Sequence, residues 1–218
     1  MKMNSVKEFE NKRWRKSNQA IVFRHAKTIE MIEKGQKVLD IGCGDGLLLS
    51  ALAQKGVSAF GIDISEEGVK KCREKGLDVS VVDITTENLP FQDGTFDTVV
   101  MLDVLEHVYE PEVLLEEAVR VSKKYIIISV PNFNSLPARL QILFGKVPEN
   151  NRPNKGHVYW FNYDNLTKMI GQYDLHIMDI RVNTVFENRF LLGDLTRFFA
   201  RIFPSLFALS FVVKAAKI

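Results

Sequence analysis

The chain has 218 residues, 46% of them hydrophobic and 26% charged, which is typical of one ordinary globular domain. Its formal net charge of +2 argues against a nucleic-acid-binding protein, and no run of about 18 apolar residues predicts a membrane span. Segment 1–15 is too charged for a secretion signal, and Cys43 and Cys72 have no metal-ligand spacing, so we expect a cytoplasmic protein.

Short apolar runs alternate with helical patterns along most of the chain. The predicted strands cover residues 37–41, 57–63, 78–83, 97–102 and 124–130, with two more near 174–184 and 206–215. The predicted helices cover residues 18–34, 46–55, 65–75, 111–121, 135–144, 163–172 and roughly 187–203. Strands rich in Val, Ile and Leu are typical of sheets buried on both faces, so the alternation predicts a parallel α/β sheet covered by helices.

The first predicted strand ends in a glycine-rich turn that opens a helix. Asp40 lies near the end of the strand, and the sequence Gly42-Cys43-Gly44-Asp45-Gly46 follows. Glycines allow positive φ and let a ligand approach the main chain, so this turn is typical of a cofactor cradle. Leu47 stands where a dinucleotide fingerprint requires Gly or Ala. Because Asp40 would repel a phosphate, the turn favours a cofactor without phosphate at this point.

The second and third predicted strands also end in aspartate. Asp63 lies about 20 residues beyond the first glycine of the turn, where an acidic side chain can bind a ribose diol. Asp83 ends the third apolar run. Together with Asp40, these residues place three carboxylates at the carboxyl edge of a parallel sheet, where ligands of open α/β folds bind. The alternative is that Asp63 and Asp83 are simple turn residues.

The fourth predicted strand leads into the sequence Asp103-Val104-Leu105-Glu106-His107. Residues three and four apart share one face of a helix, so Asp103, Glu106 and His107 are expected to converge at the strand's carboxyl end. His107 is a candidate general base, because an imidazole with a pKa of about 6.5 suits proton removal from an acceptor. A structural role for His107 in capping the helix is the alternative.

These four motifs, in this order, resemble those of class I S-adenosylmethionine-dependent methyltransferases over roughly residues 36–131. The resemblance implies a Rossmann-like seven-stranded sheet with helices on both faces and an antiparallel edge hairpin. It also implies that the cofactor's methionine end lies at the glycine turn, its ribose at Asp63 and its adenine at Asp83. The implied cofactor-binding residues are Asp40, Gly42, Cys43, Gly44, Asp63, Ile64, Asp83, Ile84, Leu102 and Asp103. We therefore expect methyl transfer to a small-molecule acceptor, with His107 as the catalytic residue.

The stretch from Asp103 to His107 also resembles the metal-binding arrangement of ubiquinone-pathway O-methyltransferases and of small-RNA 2′-O-methyltransferases. That resemblance implies a site for Mg²⁺, Mn²⁺ or Zn²⁺ formed by Asp103, Glu106, His107 and the downstream His157. Asp103 stands where those families usually have Glu, so this ligand side chain is one methylene group shorter. Catalysis without a metal is therefore the favoured expectation, and the metal site is the alternative.

A third resemblance concerns the segment that follows the fifth predicted strand. Residues 128–133, then Arg139-Leu140-Gln141 and the loop 144–148, resemble the MetW proteins of methionine biosynthesis. That family is associated with homoserine acyltransferase, which implies an alternative function as a cofactor-binding partner protein without methyl transfer of its own. The carboxylates and imidazole of residues 103–107 favour the enzyme, because a pure sensor would not need them.

We expect a single domain over residues 1–218. Its expected parts are an N-terminal lid helix at 1–35, a cofactor-binding core at 36–131, a substrate cap at 132–161, and a C-terminal helix and hairpin at 162–218. The candidates for acceptor contacts in the cap are Asn132, Arg139, Tyr159 and Trp160.

Residues 186–213 form an apolar stretch interrupted by three arginines. The spacing of its large residues predicts one apolar helix face. The residues of that face are Phe190, Leu191, Leu195, Phe198, Phe199 and Ile202. The favoured interpretation is a helix that seals the sheet edge. The alternatives are a dimer face or a surface for an apolar acceptor such as a lipid or a quinone precursor.

Overall fold

A computed structural model of the protein describes residues 3–15, 20–85, 88–185 and 192–218. These residues form a seven-stranded sheet. The strands are β1 (Lys37–Ile41), β2 (Ser58–Asp63), β3 (Val79–Val81), β4 (Phe96–Leu102), β5 (Ser122–Pro131), β6 (Leu175–Thr184) and β7 (Ala208–Lys217). Their order is β3-β2-β1-β4-β5-β7-β6, with the first five parallel and β7 antiparallel to both neighbours. The predicted α/β sheet with an antiparallel edge pair is confirmed.

Helices cover both faces of this sheet. They are α1 (Met3–Arg15), α2 (Phe23–Met31), α3 (Leu47–Gln54), α4 (Glu66–Glu74), α5 (Pro111–Val121), α6 (Leu136–Leu143), α7 (Tyr163–Ile170), α8 (Leu192–Ile202) and α9 (Pro204–Phe207). Their starts follow local sequence signals. Pro111 opens α5, where its missing N–H costs nothing. Asn162 and Asn165 exchange side-chain hydrogen bonds with each other's backbone N–H at the start of α7, which forms a capping box.

Alternate residues of the central strands are buried on opposite faces of the sheet. Leu39 and Val99 belong to one hydrophobic cluster, whereas their neighbours Val38 and Val100 belong to the other. Each fully buried aliphatic side chain of this kind contributes about 1.5–3 kcal/mol. Because both faces are covered, the strand register is fixed, and so is the alignment of the strand ends. No described helix is long and apolar enough to cross a membrane.

The N-terminal segment differs from the prediction of one lid helix over residues 1–35. The structure has two helices, α1 and α2, and residues 16–19 between them lie outside the described part. Helix α2 begins later than predicted because the Val22 N–H donates to Nδ1 of His25, which caps the helix. It ends at Ile32, where the backbone becomes extended ahead of a turn at Gly35, whose φ is +81°.

The prediction for the apolar C-terminal helix holds only in part. Helix α8 begins at Leu192, and the predicted residues Phe190 and Leu191 lie outside the described residues. The small residues Gly193 and Ala200 are buried, so the side of α8 that contains them packs against the rest of the protein. The large side chains at positions 195, 198 and 202 are more than half exposed. Three described large residues of the predicted face are therefore exposed, and α8 contacts the edge strand β6. Its role in sealing the sheet edge stays a prediction.

Candidate active site

A cavity of about 330 Å³ opens at the carboxyl edge of β1, β2 and β4. Parallel strands bring their carboxyl ends to one edge, so residues distant in sequence meet there. Residues from these strand ends and the turns that follow line the cavity: Asp40, Gly42, Cys43, Asp63, Ile64, Leu102 and Asp103. Its volume lies in the range of small-molecule sites, roughly 300–1,000 Å³. With Ile84, which also lines it, eight of the ten predicted cofactor-binding residues border one cavity.

The glycine-rich turn is held in a shape that only glycine fits. Gly42 and Gly44 have φ values of +76° and +56°. A Cβ atom would lie 2.5 Å from Val104 Cγ2 at the first position, and 2.2 Å from the Trp14 ring at the second. Gly44 is not among the described residues that line the cavity, because the Trp14 ring covers it. The turn thus presents backbone, not side chains, to the space beside it.

Asp63 joins the glycine turn to the end of β2. Its Oδ2 accepts a hydrogen bond of 2.8 Å from the Gly44 N–H, and its Oδ1 accepts one of 2.8 Å from the Ser65 N–H. Burial raises the pKa of the Asp63 carboxyl, against the opposing effect of these two bonds. Each carboxylate oxygen has further lone pairs, so Asp63 can still accept hydrogen bonds from a ligand in the cavity.

Asp40 is a buried carboxyl of the cavity wall. Burial, and then the charge of Asp63, raise the pKa of Asp40 to about 8. No hydrogen bond to its carboxylate comes from the residues that the structure describes. A buried carboxyl that lacks a partner favours a cationic ligand, because a nearby positive charge would stabilise its ionised form.

The raised pKa of Asp40 predicts that the ligand-free protein loses stability as the pH rises. The unfolded carboxyl ionises near pH 3.8 but the folded one only near pH 8, so unfolding is increasingly favoured between these values. We expect Asp40→Asn to raise the melting temperature by several degrees at pH 8 and hardly at all at pH 4, since 1 kcal/mol corresponds to about 2–4 °C. Thermal unfolding of both proteins across this pH range measures the effect.

The exposed Asp78 provides a matched control for this substitution, because Asp78→Asn makes the same chemical change outside the cavity. It should leave the melting temperature unchanged at both pH values. Equal melting temperatures for Asp40→Asn and the wild type at pH 8 would contradict the assigned ionisation.

Asp83 occupies a different environment from the other two strand-end carboxylates. Its Oδ1 accepts hydrogen bonds from the Thr85 N–H at 3.0 Å and from Thr85 Oγ1 at 2.6 Å. The neighbouring residues Ile84 and Thr85 line the cavity, whereas Asp83 is not among the described lining residues. The role of Asp83 at the adenine therefore stays a prediction.

His107 lies at the other end of the cavity. Its Nδ1 is 3.2 Å from the carbonyl oxygen of Gly156. A carbonyl only accepts hydrogen bonds, so Nδ1 carries the proton and Nε2 of the neutral ring keeps its lone pair. Burial, the neighbouring His157 and the charge of Arg13 lower the pKa of His107 to about 4. The ring is therefore neutral at physiological pH and can accept a proton.

Glu106 lies beneath the two imidazoles. Its carboxylate is buried and has no hydrogen-bond partner among the described residues. Burial, followed by the charge of Asp103, raises the pKa of Glu106. Its Oε1 lies 3.9 Å from Nε2 of His157, and one ligand atom from each of Glu106, His107 and His157 lies within 4.8 Å of the others. This donor set of one oxygen and two nitrogens fits a divalent cation.

Asp103 lines the same cavity as His107, but it is not one of the three grouped donor residues. Its φ of +54° turns the chain at the end of β4, and residues 105–107 form a 3₁₀ turn instead of an α-helix. The Asp103 carboxylate accepts a hydrogen bond of 2.7 Å from Ser129 Oγ and lies 3.2 Å from Arg24 Nε. The structure thus groups Glu106, His107 and His157, which are three of the four predicted metal ligands. The fourth, Asp103, interacts with Ser129 and Arg24.

The cap residues predicted to contact an acceptor have other roles. Asn132 is fully buried, and its Nδ2 donates to the carbonyl oxygens of Ser205 and Ala208. The remaining three contact the protein elsewhere: Arg139 donates to the Asn134 carbonyl, Tyr159 donates to Glu112, and Trp160 lies beside Phe133. None of the four is among the described residues that line the cavity, so this prediction is not supported.

Helix α1 and the loop 153–158 also form part of the cavity wall. The sequence predicted a lid helix at the N-terminus and named His157, but it did not indicate the other lining residues of these two segments. The lining residues of α1 are Val6, Phe9, Glu10, Arg13 and Trp14, and those of the loop are Pro153, Gly156, His157 and Val158. The α1 residues follow the helical spacing i, i+3, i+4, i+7, i+8, which marks one face of a helix. That periodicity was the available signal, although it does not tell what the face packs against.

Comparison with known proteins places this geometry in a family. The family model described as "Methionine biosynthesis protein MetW" matches residues 23–208. The ubiquinone biosynthesis O-methyltransferase of Methylococcus capsulatus is 38% identical over 117 residues, which are 51% of this chain and 49% of that protein. The Pseudomonas aeruginosa enzyme of the same name is 42% identical over 94 residues, 41% of this chain and 40% of its own. The chain thus spans half or less of these curated relatives.

Two solved structures share the fold over most of their length. A SAM-dependent methyltransferase from Archaeoglobus fulgidus has a TM-score of 0.64 and 22% identity, over 89% of this chain and 91% of that chain. The magnesium protoporphyrin IX methyltransferase of Synechocystis with bound SAH has a TM-score of 0.69 and 20% identity, over 99% of each chain. At this identity the likeness establishes the fold and leaves the chemistry to the site.

Proposed function

Because the chain belongs to the MetW family, whose model covers residues 23–208, and has the fold of SAM-dependent methyltransferases, we propose that it methylates a small-molecule acceptor with S-adenosylmethionine. The main support for this proposal is the set of residues that surrounds one cavity. Asp40, which has no hydrogen-bond partner among the described residues, borders the same cavity as the glycine turn, Asp63 and His107. That cavity therefore has room for a cofactor beside a group that accepts a proton.

The cofactor end of the cavity suits the polar groups of S-adenosylmethionine. We assign its cationic methionine end to Asp40 and to the backbone of the glycine turn, because Asp40 is buried without a described partner. We assign its ribose hydroxyls to Asp63, which lines the cavity and has lone pairs beyond those used by Gly44 and Ser65. Ile64 and Ile84 supply apolar surfaces for the adenine, with Asp83 close to them. Leu102 and Asp103 complete the wall between the cofactor and His107.

The chemistry follows from the position of His107. Bound S-adenosylmethionine supplies an electrophilic methyl group on a positively charged sulfur. The Nε2 atom of His107 takes the proton that the acceptor hydroxyl or amine loses, and Gly156 holds the ring in this orientation through its carbonyl oxygen. Positioning of the acceptor supplies part of the rate, because an in-line arrangement removes most of the entropic cost.

We assign the role of a lid to helix α1, which covers the cofactor end. Salt bridges connect Lys7 to Glu66 at 2.7 Å and Arg15 to Glu67 at 3.0 Å, so α1 is tied to the start of α4. The Trp14 ring lies over Gly44 and excludes water from the turn. Cofactor entry then requires α1 to move, and the fluorescence of Trp14 would report that movement.

The experiment that tests the proposal combines the purified protein, S-adenosylmethionine and an extract of small metabolites from cells. We expect S-adenosylhomocysteine to accumulate with time and only when the extract is present. The second candidate function, which the resemblance to the MetW proteins implies, is a cofactor-binding partner of a homoserine acyltransferase without its own methyl transfer. Capture of that acyltransferase with no formation of S-adenosylhomocysteine would favour this second function.

A divalent cation is an alternative occupant of the His107 end of the cavity. Glu106, His107 and His157 would hold it, and it would polarise the acceptor oxygen as a Lewis acid. We favour a reaction without metal, because burial raises the pKa of Glu106 and so disfavours the carboxylate that a cation would need. Treatment with a chelator should therefore leave the rate of methyl transfer unchanged. Loss of activity that returns with Zn²⁺ or Mg²⁺, together with calorimetric Zn²⁺ binding that Glu106→Gln abolishes, would contradict this expectation.

A further inference from the structure

The cavity is lined by groups of both charges. Asp40, Asp45 and Asp63 line the cofactor end. Two guanidinium groups also line the cavity, Arg13 from α1 and Arg24 from α2. The Arg24 charge is balanced, because Asp103 lies 3.2 Å from its Nε. The charge of Arg13 is compensated less closely.

Arg13 has weak compensation from its own surroundings. Its nearest described carboxylate is Glu10, with 3.6 Å between Arg13 Nη1 and Glu10 Oε1, a distance too long for a strong hydrogen bond. Burial raises the pKa of Glu10, which disfavours the negative charge of this partner, and the Arg13 charge acts in the opposite direction. The Arg13 guanidinium lies 5.5 Å from the centre of the Trp14 ring, which restricts its position without neutralising its charge.

Arg13 lies within electrostatic reach of both halves of the cavity. Its positive charge is one of the influences that stabilise the Asp63 carboxylate at the cofactor end. The same charge opposes the protonation of the His107 and His157 rings at the other end. The Arg13 side chain is 37% exposed, so its donors remain accessible to a bound molecule.

We propose that Arg13 binds an anionic group of the methyl acceptor, so that the substrates are small molecules bearing a carboxylate next to the hydroxyl or amine that is methylated. This inference rests on the proposed function, because the cofactor's sulfonium would add a second positive charge to the cavity. Two cations in a site of low dielectric repel each other, and an anionic acceptor compensates both. A guanidinium is suited to this task, since its planar donors match a carboxylate in a two-point hydrogen bond.

The test uses two probes that differ by one carboxylate, 2,3-dihydroxybenzoate and catechol. Calorimetry first measures the binding of S-adenosylhomocysteine to the wild type, to Arg13→Gln and to Lys12→Gln. Each probe is then titrated into the protein saturated with S-adenosylhomocysteine. We expect the wild type to bind the carboxylate probe roughly 10- to 100-fold more tightly than catechol, the range for hydrogen bonds to a charged group. Arg13→Gln should remove this preference.

Lys12→Gln is the matched control, because it removes a cation from an exposed neighbouring position of the same helix. It should keep the preference for the carboxylate probe. Failure of the wild type to bind S-adenosylhomocysteine would overturn the proposed function itself. A different result would overturn only the inference on Arg13. In that case the wild type binds S-adenosylhomocysteine, but it binds the two probes with equal affinity or binds neither at millimolar concentration. A preference that survives Arg13→Gln would overturn it as well.

Discussion

Replacing His107 with glutamine is expected to slow methyl transfer by roughly 10²–10⁴-fold, the contribution typical of a positioned general base. Glutamine can still donate a hydrogen bond to the Gly156 carbonyl, so the loop at the cavity wall keeps its anchor. It has no basic nitrogen in place of Nε2, so the acceptor keeps its proton. The formation of S-adenosylhomocysteine in the presence of the metabolite extract measures the loss.

Two controls separate this effect from a loss of folding or of cofactor binding. His176→Gln makes the same change at an exposed position of β6 and should leave the rate unchanged. Calorimetric binding of S-adenosylhomocysteine to His107→Gln should equal that of the wild type. Methyl transfer by His107→Gln at the full rate would show that the acceptor needs no base at this position.

Replacing Asp63 with alanine is expected to weaken cofactor binding by about 1–3 kcal/mol, the scale for hydrogen bonds to a charged group. In affinity this is a loss of roughly tenfold for every 1.4 kcal/mol. The substitution removes the proposed ribose partner and also the acceptor for the Gly44 and Ser65 N–H groups. Both effects act in the same direction, because the glycine turn then loses its support.

Asp97 provides a matched control for the structural part of that loss. Its Oδ2 accepts a hydrogen bond of 2.9 Å from the Lys37 N–H, so it also holds a backbone group, but at the opposite edge of the sheet. Asp97→Ala should affect thermal stability and leave the affinity for S-adenosylhomocysteine unchanged. An affinity of Asp63→Ala equal to that of the wild type would refute the ribose assignment.

The sheet and its strand ends were predictable because their signals are local. An apolar run that ends in Asp40 or Asp63 marks both a buried strand and the edge at which it stops. Parallel pairing then brings these ends together, whatever the connecting helices are. The glycine turn was predictable for the same reason, since its positive φ values require the residues that stand there.

The outer walls of the cavity depend on contacts between distant segments, which local patterns do not encode. The sequence places α1 near the N-terminus, but nothing in it shows that Trp14 packs on Gly44. The sequence suggests that Asn132 is a polar residue at the substrate site. In the structure its side-chain amide donates hydrogen bonds to the carbonyl oxygens of Ser205 and Ala208 instead. Asp103 was expected on a helical face, and one residue with positive φ directs it to Arg24 instead.

The central claim is that this cavity binds S-adenosylmethionine, and calorimetric titration of S-adenosylhomocysteine into the purified protein tests it most directly. The structure predicts binding of one molecule per chain with micromolar affinity, because Asp40, Asp63 and the glycine turn are already arranged around the cavity. The same titration with Asp63→Ala should show a large loss of affinity. Absence of binding to the wild-type protein would contradict the account.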